Sequence, residues 1–235
     1  MSTAVPDPDK NLNPGEVNPD YIPHDWPLTP LQGKKAYIPG WTKNPFTLAE
    51  IKKELKSGKA TGVGLLCGQF CNEYGLIFVD IDGKEAIPAI EELGGGPLDT
   101  IFPPTLTVSS GKEGKLRMLF RVPVARINEI PNKATIKLDK NPWEILWRSR
   151  QGALMGAHPD TDGYRTLPNR GFEYASKLPD LPEWLYSAIK NAYPSSKYRR
   201  RGNNPTPFIG QHIELNYDED SQYTKEQLIQ EAAGY

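Results

Sequence analysis

The chain is poor in the residues that carry soft-metal and redox chemistry: two cysteines and three histidines in 235 residues. Cys67 and Cys71 form a lone C-x3-C pair, with no second pair to complete a zinc site or a disulfide framework. They are expected as reduced thiols in the core or a loop. No apolar run approaches the roughly 20 residues that cross a bilayer, and the opening MSTAVPDPDKNLNPG lacks the apolar stretch of a secretory signal. A cytoplasmic protein without a membrane partner is the expectation. Net charge is nearly absent as well, −1 at pH 7. No protein-wide positive field therefore draws the chain onto nucleic acid, and any such contact must be local.

Proline, by contrast, is plentiful, with 23 residues. Pro6, Pro8, Pro14, Pro19 and Pro23 stand among few apolar residues, so residues 1–25 are expected as a disordered or extended arm. Residues 26–192 carry the elements of one domain, beginning near Trp26. Residues 193–210 are rich in Pro, Gly, Asn and basic residues and read as a linker. Residues 211–235 hold a helix pattern from Thr224 to Ala233, with Thr224 and Gln227 as a capping box. That segment either packs back on the body or opens a further domain. Positive charge gathers in three places: Lys52, Lys53, Lys56 and Lys59; Lys112, Lys115, Arg117 and Arg121; Lys197, Arg199, Arg200 and Arg201.

The most informative stretch is Leu76-Ile77-Phe78-Val79-Asp80-Ile81-Asp82-Gly83. A short apolar run rich in β-branched residues and closed by glycine reads as a buried strand. Alternation along a strand points Asp80 and Asp82 to one face and Ile81 to the other. Adjacent like charges repel unless a cation sits between them or one is protonated, and hard oxygen donors suit Mg²⁺ or Mn²⁺. Asp-x-Asp-Gly is also ordinary strand-to-turn chemistry, and the two readings stay open on this stretch alone.

The remaining elements surround it. Thr47 and Glu50 frame a capping box, followed by a helix with Leu48, Ile51 and Leu55 on one face. Val63-Gly64-Leu65-Leu66 reads as a buried strand, Ile87 to Leu93 as a short helix, and Leu181 to Ile189 as a helix with Pro182 in its first turn. Residues 105–109 and 116–123 form an expected antiparallel hairpin. In its second strand Leu116, Met118, Phe120 and Val122 share one face, and Arg117, Leu119 and Arg121 the other. Those arginines are either a solvated surface or a positive wall facing the two aspartates. Trp143-Glu144-Ile145-Leu146-Trp147 repeats the pattern with an acid inside a strand. Glu144 is either a salt-bridge partner or a third carboxylate beside Asp80 and Asp82. His158 falls in an expected turn over residues 157–164.

In order, these segments read Pro-Leu-x-Gly-Lys-Lys with Gly-Trp, a glycine-bearing strand, Val-Asp-Ile-Asp-Gly, a Thr-x-Thr-Val-Ser-Ser-Gly hairpin ending in Phe-Arg-Val-Pro, an acid-bearing strand, and Gly-x-His-Pro…Gly-Tyr. The series resembles the bifunctional primase/polymerase (prim-pol) domain of the archaeo-eukaryotic primase superfamily over roughly Trp26 to Tyr186. The resemblance implies an α+β fold: an α/β module against an RNA-recognition-motif-like antiparallel or mixed sheet, with the active cleft between them. It implies template-directed nucleotidyl transfer on single-stranded DNA, from NTPs or dNTPs, with two Mg²⁺ or Mn²⁺ ions held by Asp80, Asp82 and Glu144. Ser109, Ser110, Lys115, Arg117, Arg148 and His158 would then hold the nucleotide. Lys52, Lys53, Arg199 and Arg200 would touch DNA phosphates, and a replicative helicase or helicase domain is a conceivable partner. One position departs from the family. Where its hairpin motif usually carries a histidine, this chain has Arg117, either a permanently charged fork for the triphosphate or a mark of altered or lost activity.

Two other classes fit parts of the pattern. The strand ending in Asp-x-Asp-Gly is also similar to the start of haloacid-dehalogenase-like phosphatases, with Asp80 as nucleophile. Against this, Lys84 follows Gly83 and no later apolar strand ends in paired aspartates. The loss of the motif histidine also allows a non-catalytic module that binds nucleotide or primed DNA.

Overall fold

The computed structural model describes residues 12–68, 70–71 and 73–194. Arg199, Arg200, the segment 211–235 and nearly all of the 193–210 stretch lie outside them. The described chain is an α+β fold built on one antiparallel sheet. Its strands are β1 (Leu28–Gln32), β2 (Lys35–Ala36), β3 (Gly62–Leu66), β4 (Phe70–Cys71), β5 (Tyr74–Asp82), β6 (Thr107–Ser109), β7 (Lys115–Pro123), β8 (Thr135–Ile136), β9 (Trp143–Leu146), β10 (Gln151–His158) and β11 (Thr161–Thr166). They are ordered β2-β1-β3-β10-β11-β6-β7-β5-β9-β8, with β4 paired to β5. The path is continuous, β11 and β6 joining its two halves with Arg165 opposite Ser109 and Thr166 opposite Val108.

The helices form where sequence chemistry asks for them. In α1 (Leu48–Lys56) the capping box is complete: Glu50 N donates to Thr47 Oγ1, and the Glu50 carboxylate accepts from Thr47 N. Pro88 is tolerated in α2 (Ile87–Gly94) because it lies in the first turn, where its missing N–H leaves no bond unmade. A short helix, α3 (Leu98–Ile101), follows, and α4 (Glu183–Ala192) starts directly after Pro182. Tyr186 of α4, not read as core from its spacing, is buried beside Leu185 and Ile189.

Alternation along β5 divides the core. Ile77, Val79 and Ile81 join Met118, Phe120, Val122, Trp143 and Ile145 in a cluster that also contains Ile90 of α2 and Leu185 of α4. Leu76 and Phe78 turn the other way and join Leu119 and Leu146, together with Val63, Leu65 and Leu154 from β3 and β10. β10 is four places from β5 in the strand order, yet a Cβ on its Gly152 would stand 2.4 Å from the Phe78 ring. The sheet is therefore curled, and Leu76, Phe78, Asp80 and Asp82 lie along its concave face.

Two expectations are corrected. Residues 12–25 are not a free arm. Leu12 and Ile22 are buried, Val17 and Tyr21 pack on the same cluster, and Gly15 N donates to the Tyr164 carbonyl at 3.1 Å. Isolated apolar residues among prolines each find a slot without any helical or strand period, so periodicity does not reveal them. Gly15 is needed there: its φ is 74°, and a Cβ would meet the Asp162 carbonyl oxygen at 2.7 Å. The turn expected over 157–164 is also shorter. β10 runs to His158 and β11 starts at Thr161, so His158 and Tyr164 both stand on strands.

Cys67 and Cys71 are free and buried, and burial pushes the Cys67 thiol up to about 12 and Cys71 in the same direction. A thiol held protonated reacts slowly with disulfide reagents. Labelling with such a reagent at pH 8 should therefore proceed only as fast as the protein opens. Complete labelling within seconds in native buffer would contradict this packing.

Candidate active site

The register of three strands assembles the acidic groups. Asp80 pairs directly with Arg117 of β7 on one side and Glu144 of β9 on the other, and Asp82 pairs with Lys115. Directly opposed residues of an antiparallel pair project from the same face. Glu144 therefore shares the face of Asp80 and Asp82, as a third carboxylate on the neighbouring strand must.

The two aspartates are held by cations. Arg117 forks onto Asp80, Nε to Oδ1 at 3.1 Å and Nη2 to Oδ2 at 3.0 Å. Lys115 Nζ donates to Asp82 Oδ1 at 3.0 Å. The pairs differ in exposure: side chains of Arg117 and Asp80 are 21% and 12% exposed, those of Lys115 and Asp82 38% and 50%. Glu144 is half-buried, with Lys137 Nζ at 3.8 Å. Among the described residues no three acid, histidine or cysteine side chains close around one point. As a donor set, carboxylates from adjacent strands on one face nonetheless fit a hard divalent ion such as Mg²⁺ or Mn²⁺.

Beside these pairs lies a cleft of about 170 Å³, lined by Asp80, Asp82, Lys34, Val108, Ser110, Lys112, Lys115, Leu116, Arg117, His158 and Tyr164. Ser110, Lys115, Arg117 and His158 were expected here. Ser109 lies beneath, its Oγ accepting from Gly111 N at 3.1 Å, and so shapes the hairpin loop. Ser110 Oγ is buried without a hydrogen-bond partner among the described residues. Arg148 follows β9 and packs its backbone on Gly68, outside the lining. Lys52 and Lys53 are exposed on α1, also outside it, and Lys52 pairs with Asp20 at 2.5 Å.

Three polar residues of the lining, Lys34, Lys112 and Tyr164, are not among those expected. Lys34 sits in the β1–β2 turn and reads from sequence as a solvated cation; only the curl of the sheet brings that turn to the cleft. Lys112, in the β6–β7 loop, belongs to a recognised charge cluster but pairs with Asp160 at 2.9 Å across to the β10–β11 turn. Tyr164 was legible only through strand alternation in β11. Its ring meets His158 edge-on at 5.3 Å, and it lines the cleft together with Arg117.

Environment sets the protonation states. Burial opposes the Arg117 charge, but attraction and hydrogen bonds from Asp80 outweigh it, so its pKa is raised. The His158 pKa is lowered, first by burial and then by Lys112, Lys34 and Lys115, with Asp160 acting against them. Burial also raises Tyr164. At neutral pH the cleft therefore offers fixed cations, a neutral imidazole and a phenol.

The site thus sets paired acids on one strand of a curled antiparallel α+β fold against a hairpin rich in cations. The chain belongs to the family of bifunctional DNA primase/polymerase N-terminal domains (Prim-Pol), whose model matches residues 18–184. A search of curated proteins finds no match. Family membership implies primase/polymerase activity with DNA and nucleotides as substrates, and the family typically uses divalent metals. Among the described residues no helix is long and apolar enough to cross a membrane.

Removing one partner of a buried pair strands the other, at about 3–5 kcal/mol, whereas exposed pairs contribute about 0–1 kcal/mol. Arg117→Ala should thus lower the urea midpoint substantially and Lys115→Ala barely. Equal effects would show that Asp80 is not buried as described. In an NMR titration His158 should have its midpoint below the ordinary 6.5, and Lys34→Ala should move it upward. Its charged form is disfavoured in the fold, so its contribution to stability is present above the unfolded value and lost as pH falls through the folded one.

Proposed function

We propose that this protein is a template-directed nucleotidyltransferase that makes and extends primers on single-stranded DNA. The observation that carries this is the shared face of Asp80, Asp82 and Glu144 on adjoining strands, beside a cleft walled by Lys34, Lys112, Lys115 and Arg117. The three carboxylates would hold a pair of Mg²⁺ or Mn²⁺ ions. When bound, such ions activate a 3′-hydroxyl and stabilise charge on the transferred phosphoryl group and its leaving pyrophosphate.

The rest is the work of the chain's own side chains. Arg117 offers a planar fork and Lys115 a mobile point charge to a triphosphate. Lys34 and Lys112 extend the positive wall, and the free Ser110 hydroxyl is a further donor in it. His158, neutral near pH 7, can donate one hydrogen bond without adding charge. The halves β2-β1-β3-β10-β11 and β6-β7-β5-β9-β8 would be the two modules of the family fold, with the cleft at their junction. Lys52, Lys53, Arg199 and Arg200, away from the cleft lining or beyond the described residues, are proposed to contact template phosphates.

The test is primer synthesis on single-stranded DNA with Mg²⁺ or Mn²⁺ by Asp80→Ala, Asp82→Ala and Glu144→Ala. Loss of several kcal/mol of charge stabilisation corresponds to at least about a hundredfold fall in rate. Undiminished synthesis by Asp80→Ala would remove the proposal. Nucleotide binding without incorporation by the unaltered protein would identify it instead as a non-catalytic binding module.

A further inference from the structure

Both strand-end aspartates are engaged by residues of the strand that also walls the cleft. The Arg117 fork reaches both oxygens of Asp80, and Lys115 takes one oxygen of Asp82. We infer that Arg117 and Lys115 are latches on the metal-binding carboxylates. In this inference a nucleoside triphosphate draws them off, and divalent ions and nucleotide therefore bind with mutual enhancement. The inference rests on the proposed metal role of Asp80 and Asp82.

The physical argument is one of competition for the same charge. A guanidinium spread over both carboxylate oxygens neutralises the group and places its own positive charge where a dication would be repelled. Binding a cation at Asp80 therefore requires Arg117 to find another anion, since burial makes an unpaired guanidinium expensive. The cleft that Arg117 and Lys115 line is the nearest place for one. Lys34 and Lys112 line it too, so an anion there is already favoured. A triphosphate presents pairs of oxygens that a guanidinium fork takes bidentately, as it takes a carboxylate. Each partner then lowers the charge penalty of the other, and linkage requires the enhancement to be equal in both directions.

The shape of the site allows this exchange at Arg117. A Cβ on Gly152 would lie 2.9 Å from Arg117 Cδ and 2.4 Å from the Phe78 ring, and the guanidinium carbon stands 5.9 Å from the centre of that ring. The stem is thus packed between Gly152 and Phe78, and the head is the part left to change partner. Lys115, more exposed and with a flexible stem, swings more freely.

The probe is Mn²⁺ alone, titrated into nucleotide-free protein and followed by the electron paramagnetic resonance of the free ion. Lys115→Gln and Arg117→Gln should each bind Mn²⁺ about tenfold more tightly than the unaltered protein, within the usual range of coupling between sites. Arg117→Lys, which keeps the charge but not the fork, should fall between. Lys34→Gln removes a cation of the same cleft that touches neither aspartate, and should change the affinity by less than about twofold. Lys115→Gln carries the test should Arg117→Gln not fold, because its pair is exposed.

Asp80→Asn should lose Mn²⁺ binding. If it does while Lys115→Gln matches the unaltered protein, the latch is overturned and the metal site stands. If Lys34→Gln tightens binding as much as Lys115→Gln, the effect is a general field and the latch is again overturned. Failure of every variant to bind Mn²⁺ overturns the inference together with the metal role on which it rests.

Discussion

The register of β5 between β7 and β9 is the constraint on which the rest depends. It places Asp80 directly between Arg117 and Glu144 and sets Lys115 against Asp82. Because side chains alternate, a slip of one residue would send the carboxylates to the face packed on α2 and α4, and Ile77, Val79 and Ile81 into the concave interior. Two hydrophobic clusters of opposite parity hold the register, one on each face of the same strand. The acids are thus positioned by the burial of residues that take no part in their chemistry.

That placement has an electrostatic consequence. The strand must be apolar to sit in the middle of the sheet, yet its last residues carry two negative charges. The Asp80 side chain is only 12% exposed, and an isolated carboxylate so buried would be strongly destabilising. The cations of β7 remove that penalty. They also make the wall of the cleft positive, so the groups that let the acids fold in place are the same groups that suit a phosphate ligand. Under the proposed function, stability in the absence of ligand and affinity for it would draw on one set of charges.

The sequence made the local pieces readable. The Asp80/Asp82 alternation, the Arg117 face of the hairpin and the Glu144 parity all follow from period-two patterning, and the Thr47 capping box from its own four residues. What it did not show is what depends on distant closure. Lys34 lies in a turn whose neighbours say nothing about β5, and it reaches the cleft only because the sheet curls. The packing of Leu12, Val17, Tyr21 and Ile22 is equally silent, since single residues docked in separate slots have no period. The exposed ends of Lys52 and Lys53 illustrate the reverse: charge clustering on a helix is visible in sequence, but whether it faces a cleft is not.

Arg117 is where these strands of argument meet. The resemblance read from the sequence implies a histidine at this position, and an arginine there admits two readings, a stray replacement or a built component. The surroundings favour the second. β10 carries glycine at position 152 where any side chain would strike Phe78 and the arginine stem. Phe78 offers its ring to the guanidinium. Tyr164 lines the cleft with it and Asp80 receives its fork. Space, a ring and a carboxylate are thus all fitted to a longer and permanently charged group. A side chain accommodated on every side is a built part of the cleft wall, and under the proposed function the cleft would work with a fixed guanidinium where the resemblance implies a titratable imidazole.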